Sequence, residues 1–448
     1  MTAPLQARDR YLAQFEQQRA HLPGARQAWL GDLRDAAMAR FAALGFPTPK
    51  DEDWKYTPTA PIERREFRLA DGAPDGITAN ELQPFLLDDA AEHLLVFVNG
   101  HFVPALSRLQ ALPRGVTLTS LAAALEHAPD ALRAHLTQSQ RLDGHAFAAL
   151  NTAFMRDGAY LHLAPGAVVT APIHLLHLSS ATADAPHVAY PRIIIIAEDN
   201  SQATIVETYA GLGETGYFTA AVTELLVGPN AIVDHYKLQQ EGLRAFHVGA
   251  LYARQERDSV FSSHSLSLGG ALVRNDLRAL LDAEGADCTL NGLYVAGGRQ
   301  HVDNHTRIDH AKPHGTSREC YKGILDGMAR GVFNGRVVVH PDAQKTDAYQ
   351  SNKNLLLSAG AEVDTKPQLE IYADDVKCAH GATVGQLDDD AIFYLQSRGI
   401  RREDARSLLT YAFASDIVGR IKLPALRGRL ERLLAAQLPK SEGVKEFP

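Results

Sequence analysis

The chain reads as a mainly β protein: a solenoid core of repeated short strands with helical domains at its N- and C-terminal ends. Three observations predict this. Helical periodicity disappears from about Tyr160 for more than 200 residues. Within that stretch, runs rich in Val, Ile, Leu and Thr alternate with turn-forming Gly, Asn, Asp and Pro. The runs also recur at a fixed spacing, and a period of 20–50 residues is the signature of a repeat architecture.

The N-terminal helical domain is expected over residues 1–90. From Ala28 the apolar positions Leu30, Leu33, Ala37, Phe41 and Leu44 fall on one helix face, and Gly45 and Pro47 stop it. Asp51 to Pro58 follows as a loop. The core is expected over 91–385. It opens with a strand at Leu94–Val98 that ends in an Asn99-Gly100 turn, and carries a helical insertion near 118–150, with helix from about Leu118 to Leu136.

The repeat is clearest in three runs: Asn200-Ser-Gln-Ala203, Gly228-Pro-Asn-Ala231 and Arg257-Asp-Ser-Val260, with Gly285-Ala-Asp-Cys288 a looser fourth. Aligning 203, 231, 260 and 288 gives steps of 28, 29 and 28 residues. One coil of a parallel β-helix needs about that many residues for two or three strands and their turns. A β-sandwich with coincidental spacing is the competing reading. The repeat places Cys288 in an inward slot, where a thiol behaves as a small hydrophobe.

Helix returns over 386–448. Asp388 is placed to cap a short helix through Tyr394, closed by Gly399. Ala405, Leu408, Leu409, Ala412, Phe413 and Ile417 then trace one apolar face, and Leu426, Leu430, Leu433, Leu434 and Leu438 another. These faces serve either to cap the solenoid end or to receive a partner.

Composition excludes several classes. The 448 residues are 45% hydrophobic and 22% charged, ordinary globular values with a net charge of -8. A generic nucleic-acid binder needs a basic excess instead. The N-terminus lacks an apolar signal region, and the run Ile193–Ala197 is far short of a membrane span, so a soluble cytoplasmic protein is expected. Cys288, Cys320 and Cys378 form no CxxC pair, which argues against both a disulfide framework and a self-contained thiolate site.

Three motifs bear on chemistry. Gly211-Leu-Gly213-Glu-Thr-Gly216 matches the dinucleotide fingerprint, but a strand-like run follows where a helix is required, so it reads as a loop. His301, His305, His310 and His314 cluster without strand spacing for a joint ligand set and read as surface or turn histidines; His301 and His305 would stand about 13 Å apart. In Tyr372-Ala-Asp374-Asp375-Val-Lys-Cys378-Ala-His380-Gly381, Cys378 and His380 share one strand face about 6.6 Å apart, and Asp374 shares their parity. A thiol beside an imidazole suits a soft or borderline metal, but two ligands make half a site, the rest coming from another chain. A buried cysteine with a neighbouring histidine is the bland alternative.

Three stretches carry a resemblance: Gln344-Lys-Thr-Asp-Ala-Tyr-Gln-Ser-Asn-Lys-Asn, Pro367 through Asp388, and Ile392-Phe-Tyr-Leu-Gln-Ser-Arg-Gly-Ile. Together they resemble the SufB/SufD family of SUF iron–sulfur cluster assembly, and Asp51 to Thr57 resembles its Glu-x-Trp-x-Tyr-Thr signature. The resemblance spans essentially the whole chain. It implies a right-handed parallel β-helix between two helical domains, and a non-catalytic scaffold in a complex with a paralogous subunit and two copies of the ABC ATPase SufC. Leu395 stands where the SufB branch carries a cysteine, and Lys377-Cys378-Ala379-His380-Gly381-Ala382-Thr383 follows the SufD branch. The resemblance therefore implies that His380, supported by Cys378, reaches across to a thiolate site on the SufB partner and meets iron or a nascent cluster there. It also implies that the C-terminal helical domain, through Leu408, Leu409, Ala412 and Phe413, docks SufC. No tightly bound cofactor is expected on the isolated chain, and a homodimer is open. The rivals are the paralogous SufB scaffold and a β-helix polysaccharide lyase or hydrolase using Asp303, Asp309 and Asp326.

Overall fold

The computed structural model describes residues 7–70, 72–73, 76–87, 92–136, 144–180 and 186–437. Its centre is a parallel β-solenoid of about seven turns. Each coil gives one strand to each of two facing sheets. The first sheet runs from Val116–Ser120 and Gly158–Leu163 through to Glu362–Ile371. The second runs from His101–Phe102, His93–Val98 and Ile173–Ser180 to Lys377–Gly385. The two inner faces meet in one core that includes Ile195, Ala203, Val233, Phe261, Cys288, Phe333 and Val337.

The strand register corrects the sequence alignment. The inward column through the second sheet is Ala203, Val233, Phe261, Cys288, Ser317, Ala348 and Cys378. Positions 203 and 288 belong to it as expected, and Cys288 is fully buried. Position 231 falls two residues short of the column. Position 260 falls one short, so Val260 points away from the core. The turns absorb the difference. Asn200, Asn230, Asp258, Gly285, His314 and Lys345 each stand three residues before a column member, and all have positive φ, from 53° to 75°. Through Gly285 and His314, each of these backbone N–H groups donates to a carbonyl in the next corner, for example Asn200 to Pro229 and Asn230 to Arg257. Asn, Asp and Gly tolerate this left-handed conformation best, so the corners are the sequence-readable anchor of the repeat.

The helix at Ala28–Leu44 forms where expected and buries Leu30, Leu33 and Phe41 of its apolar face, while Leu44 is exposed. It is closed by Gly45, whose φ is 67° and whose N–H donates to the Phe41 carbonyl. The Asn99-Gly100 turn closes a hairpin between His93–Val98 and His101–Phe102. The stretch from Leu118 is helical only from Leu121. Val116–Ser120 alternates and forms an antiparallel strand against Gly158–Leu163, and the Ser120 side chain caps the helix Leu121–His127. Helices at Pro129–Leu136 and Ala146–Phe154 follow.

The C-terminal helices Arg402–Val418 and Pro424–Gln437 do not cap the end of the solenoid. They lie along the outer face of the second sheet. Ala414, Ile417, Leu426, Leu430 and Leu434 pack there with Val206, Tyr236, Leu266, Leu293 and Cys320. Leu438 lies outside the described residues. No helix among them is long and apolar enough to cross a membrane.

Candidate functional site

The last coil is bare. Among the described residues Lys377–Gly385 pairs only with Asp347–Leu356 and nothing pairs with its other edge; it is exposed along its length except at Cys378. Glu362–Ile371 is the matching terminal strand of the first sheet and is largely half-exposed. Around this end Tyr372, Ile371 and Val384 are exposed apolar side chains, as are Phe393 and Tyr394 on the helix Asp389–Ser397 that follows. An open strand edge with apolar neighbours is a template for another chain.

Cys378 and His380 stand on this last strand with the alternation expected. Cys378 lies over Ala348 and packs against the core, half-buried; His380 lies over Gln350 and is exposed. Burial pushes the Cys378 thiol up, opposed by a backbone hydrogen bond at Ala348. Asp374 does not join them: the strand begins at Lys377, and Asp374 sits in the preceding turn beside Asp375, whose carboxylate pairs with Lys345. Among the described residues no group of three or more His, Cys, Asp and Glu side chains gathers to hold a metal. The end therefore places one thiol and one imidazole side by side on an exposed strand, too few side chains to hold a metal by themselves.

Leu408, Leu409 and Phe413 are half-buried and Ala412 exposed on Arg402–Val418. Phe413 is partly committed to the solenoid, because Lys322 Nζ sits 4.4 Å from its ring centroid and donates to its carbonyl at 3.0 Å. The more open apolar side chains of this region are Phe393, 71% exposed, and Tyr394, 58%.

The histidine cluster is mostly not at the surface. The segment His301–His310 is a strand. His310 is buried against Ser317 at 2.9 Å, His301 meets Thr57 at 2.8 Å, and His305 pairs with Asp303 at 3.1 Å. Only His314 takes the expected turn position, at a coil corner. The alternation of a strand inside a solenoid forces every second side chain inward or under a covering element, which a count of histidines does not reveal.

The covering element is the Asp51–Thr57 segment. Trp54 is buried under Arg274, whose guanidinium lies 3.8 Å from its ring centroid. Arg274 donates to the Asp53 carbonyl, forks onto Asp276 at 2.8 Å and reaches Asp303 at 2.7 Å; Thr57 donates to the same Asp303 carboxylate. Against the cost of burial, His305 and then Arg274 hold the Asp303 carboxyl down at about 2. Asp309 is taken by Arg307 at 2.6 Å and His340, and Asp326 lies in an exposed turn. These three carboxylates form no paired acid and base, so the hydrolase reading finds no site in them.

Sequence reasoning missed a buried polar interior. Glu207 faces inward and accepts from Tyr209 and Thr223, both at 2.8 Å, with His235 at 3.1 Å. Two coils before the bare end, Glu319 is also buried. The signal was present: once Val233 and Cys288 are inward, His235 and Leu290 two residues on must be inward too, and so must Glu319 in the next coil. The Gly211–Gly216 loop joins two strands, Gln202–Leu212 and Phe218–Val227, and opens no helix.

Comparison with known proteins agrees with this architecture. Residues 178–413 match the SUF system FeS cluster assembly SufBD core domain, and residues 5–175 match the SufBD protein N-terminal region. An iron–sulfur cluster assembly SufBD family protein of Synechocystis is 35% identical, covering 96% of this chain and 95% of its own length. The Escherichia coli iron–sulfur cluster assembly protein SufD is 34% identical over 88% of this chain and 90% of its own. The Bacillus subtilis protein of the same name is 27% identical over 90% and 92%. With both family regions matched end to end on a two-sheet solenoid, the chain belongs to the SufBD family of iron–sulfur cluster assembly proteins.

Proposed function

We propose that this chain is a SufD-type scaffold subunit that works in the cytoplasm, docked through its bare last coil onto a SufB-like paralogue. The docked pair shares a cluster-building site at that interface. Iron, or a nascent iron–sulfur cluster, is cargo there. His380 supplies an imidazole, Cys378 supports it from the half-buried slot beside it, and the main thiolate comes from the partner. The chain itself catalyses no step; ATP hydrolysis belongs to a SufC-like ABC ATPase. That ATPase docks on the C-terminal helices, where Leu408, Leu409 and Ala412 remain partly open beside Phe393 and Tyr394.

The observation that carries this reading is the uncovered strand Lys377–Gly385 with His380 exposed on it. A solenoid end needs a cap, and the C-terminal helices lie elsewhere. The SufB alternative fits less well, because the helix Asp389–Ser397 carries Leu395 where that branch carries a thiol.

The test is co-expression with SufB-like and SufC-like partners. His380→Ala is expected to leave the complex assembled, since one rim side chain seldom decides association. Iron and acid-labile sulfide per purified complex are expected to fall sharply. Cys378→Ala is expected to be milder. Undiminished iron in a well-assembled His380→Ala complex rules out the ligand role.

A further inference from the structure

The strand register places a line of inward side chains behind His380. His380 stands over Gln350, Gln350 over Glu319, and Glu319 over Leu290. Successive coils are about 4.8 Å apart, so Glu319 lies roughly 10 Å inside the open end. Gln350 Nε2 donates to Glu319 Oε2 at 2.7 Å. Gln350 fits there because residue 335 is glycine: a Cβ at that position would come within 2.3 Å of Gln350 Nε2. Both side chains are buried, and each keeps one oxygen, Glu319 Oε1 and Gln350 Oε1, without a hydrogen bond.

Among the described residues no basic group offsets the Glu319 carboxyl. Leu290 and Gln350 flank it along the sheet, Ser317 and Tyr321 occupy the inward positions on either side with Cys288 over Ser317 in the coil before, and Thr306 faces it from the opposite sheet. Burial raises it to about 7, only partly opposed by Thr306 and Gln350. It thus sits between neutral acid and carboxylate at ordinary pH. Glu207, deeper in the same interior, differs: against burial, His235, Thr223 and Tyr209 hold it at about 2.

We propose that Glu319 is a positioning residue for the open-end site, holding Gln350 beneath His380 and giving up its proton to bulk solvent when a divalent cation binds at that end. The O–H bond of the carboxyl breaks, the proton leaves, and the carboxylate balances part of the incoming charge through a water-poor interior where such coupling is strong. This rests on the reading of His380 as a cation ligand.

The experiment counts protons. The full chain, purified with its SufB-like and SufC-like partners, is titrated anaerobically with Co2+ as a probe for Fe2+, at pH 7, in buffers of different ionisation enthalpy. Glu319→Gln is expected to release about half a proton fewer per Co2+ bound than the parent, because a group titrating near 7 is about half protonated there. It is also expected to flatten the rise of affinity with pH. Equal proton counts and equal pH profiles overturn the role of Glu319. If His380→Ala binds Co2+ as the parent does, the parent reading fails instead. If Glu319→Gln does not assemble, Gln350→Met is used: loss of its hydrogen bond is expected to move proton release to higher pH, and an unmoved profile overturns the proposal.

Discussion

The two ends of the solenoid are built from the same coil and finished differently. At the N-terminal end the parallel ladder is stopped by antiparallel strands, Val116–Ser120 on one sheet and the short His101–Phe102 and Arg108–Leu109 on the other. The first sheet is also covered, by Phe147, Phe154 and Trp54, from Tyr190 through Phe218 and Phe246 to Leu272. At the C-terminal end the ladder stops, among the described residues, with Lys377–Gly385 exposed. An edge left open after several regular coils is a strong departure from how solenoids protect themselves. The difference teaches that the chain closes one end with its own strands and, among the described residues, leaves the other as an open edge, which is where the proposed docking would take place.

The contrast is most easily broken at the covered side. Arg274 is fully buried between Asp276 and Asp303 and stacks on Trp54. Arg274→Ala leaves two buried carboxylates without their cation, at an expected cost of about 3–5 kcal/mol, the usual penalty for breaking a buried pair from one side. Urea unfolding measures it. A loss under about 1 kcal/mol would mean that the Asp51–Thr57 segment merely rests on the solenoid.

A second, smaller effect sharpens the contrast at the open end. The Glu319 carboxyl is raised to about 7 from an ordinary value of 4.5. Its sign is therefore the reverse of a paired carboxylate. The contribution to stability is complete below about pH 4.5, is lost as pH climbs towards 7, and is flat above. The full span is at most about 3 kcal/mol. Glu319→Gln removes this dependence, so the variant gains on the parent between pH 5 and pH 8, most readily followed as melting temperature against pH. Parallel curves for the two proteins would place the carboxyl outside the buried interior.

Much of this was legible in the sequence, for physical reasons that also mark where legibility stops. The coil period is readable because every coil needs a corner, and the corners at Asn200, Asn230, Asp258 and Gly285 use the residues that tolerate positive φ. Alignment on the apolar residues instead misplaces 231 and 260, since turn length drifts, and the later corners at His314 and Lys345 no longer use these residues. Cys378 and His380 were readable as a pair because strand alternation is strict. What was not readable is which side of each strand a distant element covers. Trp54 and Thr57 lie more than 200 residues from Arg274 and Asp303, and no local pattern links them. The buried state of His310 and Glu319 is hidden for a different reason: polar residue types suggest a surface position, although the inward parity of Glu319 is already fixed by Cys288 one coil earlier.

The smallest expected effect on stability comes with the most discriminating test of the open end. Ala382 is exposed, and it lies over the buried Asn352 on the inward face of the last strand, where a further coil would stack its core. Ala382→Lys places a charge in the middle of that face. In the isolated chain water solvates it, so unfolding is expected to shift by no more than about 0.5 kcal/mol. Any chain that docks there must instead bury an unpaired ammonium, which is costly, and inward-pointing charges are how natural edges refuse partners. Association with a SufB-like partner, and any self-association of the free chain, are therefore expected to be lost together while the melting curve stays put. Docking of a SufC-like ATPase is expected to survive, because Leu408, Leu409 and Ala412 stand on Arg402–Val418, which packs along the outer face of the second sheet through Ala414 and Ile417. Size-exclusion chromatography with light scattering, with each partner in turn, reads all three. A complex that forms normally around Lys at position 382 would show that the bare coil is not where the paralogue sits.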